Sequence, residues 1–597
     1  MRTLVFSEYV ASIIMGAGLL TIPLVSAHIG VVGLLLLLIG LGGVMAWGYA
    51  TMTGAVASYV RDEAGRRARW AQELYGKLGF EMRREAAANP ESFITRTVRI
   101  GQLLYDHAVQ LTPGGERAGR MLSVGLLVYV LGADVGYLLI GATSLSHIAS
   151  VLTTQIPRMA LVALPLVSIG LAAAAFHPRG RGGLRGRLLF LMGGWLLAVW
   201  AMACLPPHSF LSSAAGLLIY SLTLIVSPVL PERAAHSPAS ERSTGSLNDG
   251  QLAPDHRVNV VLFRVEILLL IAVAATVLAT LLPAGLGVAL KLGPLVGGVA
   301  LVTQVLEAVG VIVFALVGTG IMNIATYPEL LLQKREGQIP LRRIACVGTA
   351  IPVVVYAMWI LASVVSLPTS VLLRLDAAQA QVTVGLADRV GTVSVAAAVL
   401  AILFGHVFAL LAVSASALGF TETGAVRLQV LRERGGARGG AVRSVRRSYA
   451  WLRALMLVVA TAIALGFRAM PSGAMPITRI LSVAGAAGGG LVFLVLPVLL
   501  ATARCRSGWR LTVTSAVGLL VAACVVATTA GHWLTGIDAV LSVGTVGIAI
   551  WILSLASRAA TPTRHLLPRE GYDAIAGLPG YAGLRVWPTV TTRSERL

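Results

Sequence analysis

The chain has 597 residues, of which 56% are hydrophobic and only 12% are charged, and its net charge is +21. Soluble domains carry about a quarter of charged residues, so this composition excludes a soluble protein of this length. The high apolar content also excludes a disordered chain. Apolar runs long enough to cross a bilayer recur from end to end and predict an all-α polytopic membrane protein.

Apolar runs bounded by charges, proline or glycine predict about fourteen membrane-spanning helices. In chain order, these runs are 8–28, 31–59, 121–145, 158–176, 187–205, 211–230, 259–283, 297–325, 344–366, 392–420, 449–469, 475–502, 510–530 and 535–557. They alternate in direction across the membrane, so each loop is assigned to a side once the first span is oriented.

The positive charges indicate this orientation. If the N-terminus is cytoplasmic, all but six of the 47 Lys and Arg residues lie in cytoplasmic loops or the adjoining helix ends. The six exceptions are Arg158, Lys291, Arg374, Arg389, Arg468 and Arg479. This asymmetry follows the positive-inside rule, so we expect a multi-pass protein of the cell (plasma or inner) membrane with both termini in the cytoplasm. The basic runs then act as topology anchors, and we expect no nucleic-acid partner.

Two predicted spans contain a glycine pair followed by a proline. The first span has Gly16-Ala17-Gly18 before Pro23, and the eighth has Gly318-Thr319-Gly320 before Pro328. Such segments can unwind at mid-membrane, which frees backbone amides for a carboxylate and carbonyls for an ammonium group or a cation. The two spans are seven apart and therefore cross in opposite directions, as the broken helices of inverted-repeat transporters do. Close helix packing at the glycines is the alternative.

Other chemistry-bearing motifs are missing from the sequence. Neither glycine pair completes GxGxxG, and the chain contains no GxxxxGK[ST] and no HExxH. The four cysteines have no CxxC spacing. We therefore expect no enzyme activity, no catalytic residues, no metal site and no cofactor.

Several segments resemble the amino acid–polyamine–organocation (APC) superfamily, above all its hydroxy/aromatic amino acid permeases and its amino acid/auxin permeases. The first-helix motif of these permeases resembles 16–23, and their broken sixth helix resembles 314–329. Their seventh, eighth and tenth helices resemble 342–359, 408–419 and 494–497. The resemblance implies a LeuT-type transporter core built from two inverted five-helix repeats.

The resemblance covers about 1–60 and 297–500, and the chain departs from the family pattern between these parts. Four spans, rather than two, lie between the third span and the broken span at 297–325, which implies an inserted helix pair. The expected organisation begins with two transmembrane helices including broken helix 1 (1–60), a cytoplasmic helical loop (61–120) and transmembrane helices 3–5 (121–205). The inserted pair (206–292) follows, with a cytoplasmic linker (231–258). The chain then continues with the second inverted repeat and its broken helix (293–502), two C-terminal transmembrane helices (503–557) and a cytoplasmic tail (558–597).

Candidate residues follow from the breaks and from polar side chains within the spans. The predicted substrate-binding residues are Gly16, Ala17, Gly18, Tyr137, Phe314, Gly318, Thr319 and Gly320. Ionisable side chains are costly inside a membrane and are therefore candidates for ion coupling. The coupling candidates are Asp134, Glu307, His406, Ser414 and Ser416. A structural or packing role is the alternative for each of them, and Glu266 can pair with the nearby Arg264.

In the resembling permeases, a hydroxyl tends to stand where this chain has Ala415, between Ser414 and Ser416. Because serine hydroxyls there help to complete a sodium site, its loss favours H⁺ over Na⁺ as the coupling ion. The sequence thus predicts a proton-coupled symporter for an amino acid or related small amine-carboxylate, in which spans 1, 2, 8 and 9 rock against the others. The expected partners are the substrate and the lipid bilayer, and the sequence does not predict an oligomeric state.

Two other functions remain open. A lipid-linked glycan flippase or multidrug exporter would have a large polar cavity and no paired helix breaks. A non-transporting membrane scaffold would use the 61–120 loop as its partner surface, and Gly16 and Gly318 would be dispensable.

Overall fold

A computed structural model describes residues 2–16, 18–66, 115–155, 161, 163–176, 183–206, 209–227, 254–285, 298–318, 341–434, 442–469, 476–495 and 497. Every regular element in this part of the chain is a helix. The two predicted C-terminal spans, most of the 61–120 loop, the 231–258 linker and the C-terminal tail lie outside the described residues, as do Ala17, Thr319 and Gly320.

The described helices follow the predicted order. They are α1 (Arg2–Ile14), α2 (Gly18–Arg66), α3 (Gly115–Gln155), α4 (Ala163–Phe176), α5 (Gly183–Cys204), α6 (Phe210–Val226), α7 (Pro254–Leu281), α8 (Gly298–Leu316), α9 (Leu341–Ser366), α10 (Thr369–Ala377), α11 (Val382–Gly391), α12 (Val395–Arg434), α13 (Val442–Ala469) and α14 (Ile477–Val483), which continues as a π-helix (Ala484–Val495). Each predicted span up to residue 502 overlaps one of them.

Six of these helices contain a segment long and apolar enough to cross a membrane. The segments are Gly18–Thr53, Gly125–Thr154, Phe263–Leu281, Leu341–Ser366, Val395–Thr421 and Trp451–Ala469. Apolar side chains also cover the outside of the bundle: Leu36, Leu268 and Trp451 are each about two-thirds exposed. An apolar exterior of this kind is typical of helices that face lipid. The chain is a multi-pass helical membrane protein.

Glycines set the path of the first two spans. Helix α1 stops at Ile14, and α2 begins at Gly18, so the first predicted span is broken at the predicted glycine pair. Helix α2 turns sharply at Gly30, whose φ of 75° and ψ of 164° are not helical. A positive φ is strained for residues with a Cβ, so glycine allows the chain to end the first span there and start the second.

The core lies where α2, α3, α8, α9, α12 and the π-helix pack together. Its largest fully buried side chains are aromatic, among them Tyr49, Tyr129, Tyr356, Trp359 and Phe493. Helices α4, α5 and α6 pack in sequence, and α6 joins them to α3 and α13. Helix α7 packs between α1 and α12.

The connection between the predicted spans 344–366 and 392–420 contains two helices that the sequence analysis did not predict. Helices α10 and α11 have 9 and 10 residues, which is too short for a membrane span. Each buries one face, with Leu372 and Leu375 on α10 and Leu386 and Val390 on α11. They form a short helical segment at one end of the bundle, and this α10–α11 segment carries several polar contacts described below.

Candidate functional site

The two predicted breaks lie against each other inside the bundle. A Cβ placed on Gly18, at the start of α2, would overlap the backbone and side chain of Ala315, in the last turn of α8. Only glycine therefore allows this approach. The start of α2 and the end of α8 are thus in direct contact.

Three buried tyrosines donate hydrogen bonds to the carbonyl groups at the end of α8. The last four carbonyls of a helix have no intrahelical partner, and water is absent from the bilayer core. The carbonyls of 314, 315 and 316 accept hydrogen bonds from the hydroxyls of Tyr129 (3.2 Å), Tyr356 (3.0 Å) and Tyr49 (2.7 Å), respectively. Side chains from α2, α3 and α9 therefore stabilise a helix that stops inside the protein.

Two of these tyrosines also bond to other groups at the breaks. The hydroxyl oxygen of Tyr49 accepts from the backbone N–H of Gly318 at 2.7 Å. The hydroxyl therefore connects the last carbonyl of α8 to the second residue after the helix. The Tyr356 hydroxyl also lies 3.3 Å from the carbonyl oxygen of Ile14, the last residue of α1. Tyr356 therefore contacts the carboxyl ends of both broken helices.

The break after α1 faces α3 and α12. A Cβ on Gly16 would lie 2.9 Å from Oγ of Ser416 and 3.5 Å from the hydroxyl oxygen of Tyr137. Tyr137 and Ser416 are hydrogen-bonded to each other. Gly16 and Ser416 are half-buried, whereas Tyr137 is buried. The structure thus brings together three residues that the sequence analysis selected from three different spans.

Aromatic rings form one wall beside this break, which we call the aromatic wall: Tyr129, Tyr137, Phe314 and Phe420. The ring of Phe314 lies 5.8 Å from that of Tyr137 and 5.9 Å from that of Tyr129, measured between centroids. Phe420 lies 5.7 Å from Tyr137 and 5.4 Å from Tyr129. These separations are typical of packed aromatic pairs. Phe314 thus lies in the wall of the site.

Asp134, one turn before Tyr137 on α3, is fully buried. Its Oδ2 lies 3.1 Å from Oγ1 of Thr421, while its Oδ1 has no hydrogen-bond partner among the described residues. Thr421 also contacts the carbonyl of Ala417. A hydroxyl has only one hydrogen, so both contacts are hydrogen bonds when Asp134 carries a proton and donates it to Thr421.

The two predicted serines have different partners. Ser414 bonds to the hydroxyl of Tyr220 on α6 at 2.9 Å, whereas Ser416 bonds to Tyr137 beside the break. Ala415, between them, is exposed. Ser416 is therefore part of the site at Gly16, and Ser414 connects α12 to α6.

Glu307 and His406 lie beside the α10–α11 segment rather than beside the breaks. Glu307 lies 3.5 Å from Oγ1 of Thr478, which in turn bonds to Asp376 of α10. His406 bonds to His147 and to Gln381, between α10 and α11.

The expected pairing of Glu266 with Arg264 is not observed, because Arg264 bonds to Glu8 of α1 at 2.7 Å. Arg264 is 60% exposed, whereas Glu266 is buried on another face of α7. Neighbouring positions on a helix point in different directions, so the two side chains do not face each other.

The sequence analysis did not select Tyr49 or Tyr129 as site residues, and it noted Tyr356 only as part of a helix motif. Their common signal is a tyrosine within an apolar span, since a buried hydroxyl usually finds a hydrogen-bond partner. That signal does not indicate which carbonyl is the partner.

No protein-family model matches the chain, and no curated protein matches it in sequence. Among solved structures, the chain is similar to the crystal structure of MhsT in complex with L-phenylalanine. The TM-score is 0.40 and the sequence identity is 12%, with 94% of this chain and 98% of that chain covered.

Proposed function

We propose that the chain is a secondary active transporter that carries an amino acid or related small amine-carboxylate. Its proposed architecture is of the LeuT type, with about fourteen spans and two inverted repeats. The observation that carries this proposal is the contact between the two broken helices at Gly18 and Ala315. A flippase or exporter cavity does not require such a junction, and a scaffold does not need a helix that stops inside the bundle.

The junction suits a molecule that carries both charges. The start of α2 presents backbone N–H groups without intrahelical partners, and these favour a carboxylate. The end of α8 presents carbonyls, which favour an ammonium group. Each of these carbonyls uses one lone pair for its tyrosine, and we propose that the second accepts from the substrate. In our proposal, the backbone at the two breaks binds the substrate zwitterion.

The neighbouring side chains favour an apolar substrate side chain. Around the break at Gly16, the structure places the rings of Tyr137 and Phe314 and the hydroxyl of Ser416. The two rings offer a large apolar contact surface, and the hydroxyl groups of Tyr137 and Ser416 offer a few polar contacts. We therefore propose an apolar or aromatic amino acid as the substrate class.

Proton coupling is the proposed energy source, and Asp134 is the proposed coupling residue nearest the substrate. It lies one turn from Tyr137, and its contacts with Thr421 fit a carboxyl group that holds a proton. Release of that proton would leave a charge in the bundle with one hydroxyl partner, which is costly unless another element moves. This cost can couple the proton to the rocking of the helices.

The experiment that tests the proposal is counterflow in proteoliposomes with a panel of labelled amino acids, followed by uptake under an imposed pH or sodium gradient. We expect exchange of at least one apolar amino acid and accumulation driven by the pH gradient. Folded protein that exchanges no amino acid would refute the proposed substrate class. Accumulation driven by sodium alone would refute proton coupling.

A further inference from the structure

A row of hydrogen-bonded side chains runs from the surface of the α10–α11 segment into the bundle. Asp388 of α11, whose side chain is 67% exposed, lies 3.1 Å from Nε2 of His147 on α3. Nδ1 of His147 lies 2.7 Å from Nε2 of His406 on α12, which is fully buried. Nδ1 of His406 lies 3.2 Å from Nε2 of Gln381, which also donates to Ser144.

With the amide nitrogen of Gln381 placed between Ser144 and His406, the positions of the other hydrogens follow. The Ser144 hydroxyl donates to the carbonyl of Ile140, so it accepts from the Gln381 amide nitrogen. The second hydrogen of that nitrogen points at Nδ1 of His406, which must therefore accept. His406 then carries its hydrogen on Nε2 and donates it to His147, whose own hydrogen faces Asp388. Both rings are neutral in this arrangement.

We propose that His147 and His406 form a binding site for one proton, which we call the histidine pair. The four ring nitrogens carry two hydrogens in the neutral arrangement and three after a solvent proton is added. One of the three lies between the rings, one faces Asp388, and the third lies on Nδ1 of His406. The carboxylate of Asp388 balances the added charge, and no covalent bond other than this N–H bond forms or breaks.

Binding of the proton changes the contact made by Gln381. A hydrogen on Nδ1 of His406 needs an acceptor, so the amide of Gln381 rotates to present its oxygen. That oxygen has no partner among the described residues in the neutral arrangement, and Gln381 is fully buried. Rotation ends the donation from Gln381 to Ser144, and the Ser144 hydroxyl must leave the carbonyl of Ile140 to donate to the amide oxygen instead. Protonation of the histidine pair therefore changes the hydrogen bonds of Gln381, at the point where α10 joins α11 and contacts α3.

Other charged groups lie on the elements packed around the histidine pair. The elements packed around α3 and α12 at this end carry Arg389 on α11, Arg468 on α13 and Arg479 on α14, and Arg468 donates to Thr143, one turn before His147. On α7, Val273 approaches the neighbourhood of Gly405, and the ionisable Glu266 lies two turns away along the helix, about 10 Å. Asp388 is thus the carboxylate in direct contact with the pair.

The arrangement favours a proton over a metal ion. The two nitrogens of His147 point at different partners, and no group of three metal-ligating side chains occurs among the described residues. The use of this proton to drive transport rests on the function proposed above, whereas the binding site itself does not.

The test is nitrogen NMR of full-length protein labelled with ¹⁵N-histidine in lipid nanodiscs, titrated with protons and without substrate. His147→Gln and His406→Gln assign the two residues among the 10 histidines. We expect scalar coupling between the two rings and one titration step in which both residues shift together. Two independent steps, or the absence of coupling between the rings, would overturn the proposal.

Two further variants test the ends of the row. Asp388→Asn is expected to weaken proton binding about threefold, because the lost partner is largely exposed. Gln381→Glu is expected to strengthen it at least tenfold, since a carboxylate would accept the third hydrogen. His28→Gln is the control, because His28 contacts Asp376 and, among the described residues, no second imidazole. An Asp388→Asn variant identical to wild type, or an effect of His28→Gln equal to that of His147→Gln, would contradict the assignment.

These measurements separate the site from the transport proposal. Proton binding by the pair in a protein that exchanges no amino acid would support the site and refute only the transport function. Amino acid counterflow in a protein whose histidines titrate independently would refute only the site.

Discussion

Removal of one hydroxyl group from the junction should destabilise the protein measurably. Tyr49→Phe leaves two buried backbone groups without their partner, the carbonyl of Leu316 and the N–H of Gly318, each now at 2.7 Å from the hydroxyl oxygen. Each unsatisfied buried group costs about 1–3 kcal/mol, so we expect the two together to lower the stability by about 2–6 kcal/mol. Phenylalanine keeps the ring contact with Phe493, at 5.9 Å between centroids, so the effect isolates the hydroxyl.

Tyr129→Phe is the matched comparison, because its hydroxyl serves a single carbonyl, that of Phe314, at 3.2 Å. We expect it to lose about 1 kcal/mol, so that Tyr49→Phe is the less stable variant. The assay is thermal unfolding of both variants in the same detergent, monitored by the monodisperse fraction on size-exclusion chromatography. Equal stabilities, or the reverse order, would refute the conclusion that the hydroxyl of Tyr49 spans the end of α8.

Three other substitutions test the breaks and the proposed coupling residue. Gly18→Leu should abolish amino acid counterflow because Ala315 fills the space, whereas Gly40→Leu on the same helix, with open space around it, should exchange normally; equal activities would contradict a shared site. Asp134→Asn should retain counterflow but lose accumulation driven by a pH gradient, and normal accumulation would exclude Asp134 as the proton carrier. Gly30→Ala should lower stability by about 1–3 kcal/mol, because its φ of 75° and ψ of 164° lie in a region that essentially only glycine adopts, and an unchanged melting temperature would contradict that backbone conformation.

The sequence predicts the elements whose signal is local. Apolar runs predicted the positions of the described spans, and the glycine pairs predicted where α1 and α8 stop. Helices α10 and α11 were missed because 9 or 10 residues with one buried face do not form a long apolar run. The tyrosine contacts were missed for another reason. The partner of Tyr49 is 267 positions away in sequence, so only the packing of α2 against α8 brings them together.

The same distinction applies to the polar residues. His406 was predicted as a coupling candidate because it is ionisable and lies within a span. Its partner His147 is 259 positions away, and no pattern in the sequence connects the two. Asp134 was selected for the same reason, and its contact with Thr421 joins α3 to α12. A single sequence predicts which polar side chains are costly to bury in a membrane, whereas the structure shows which of them form hydrogen bonds with each other.

The tyrosine contacts also suggest how the end of α8 can move while it keeps two of its three tyrosine partners. In the proposed rocking motion, spans 1, 2, 8 and 9 move together, and these contain α2, α8 and α9. The hydroxyls of Tyr49 and Tyr356 would then travel with the end of α8 and keep their bonds of 2.7 and 3.0 Å. Tyr129 belongs to α3, outside that group, and its bond of 3.2 Å is the longest of the three. The motion therefore requires one weak hydrogen bond to break at this junction, while the two shorter bonds keep the backbone of the break satisfied in either state.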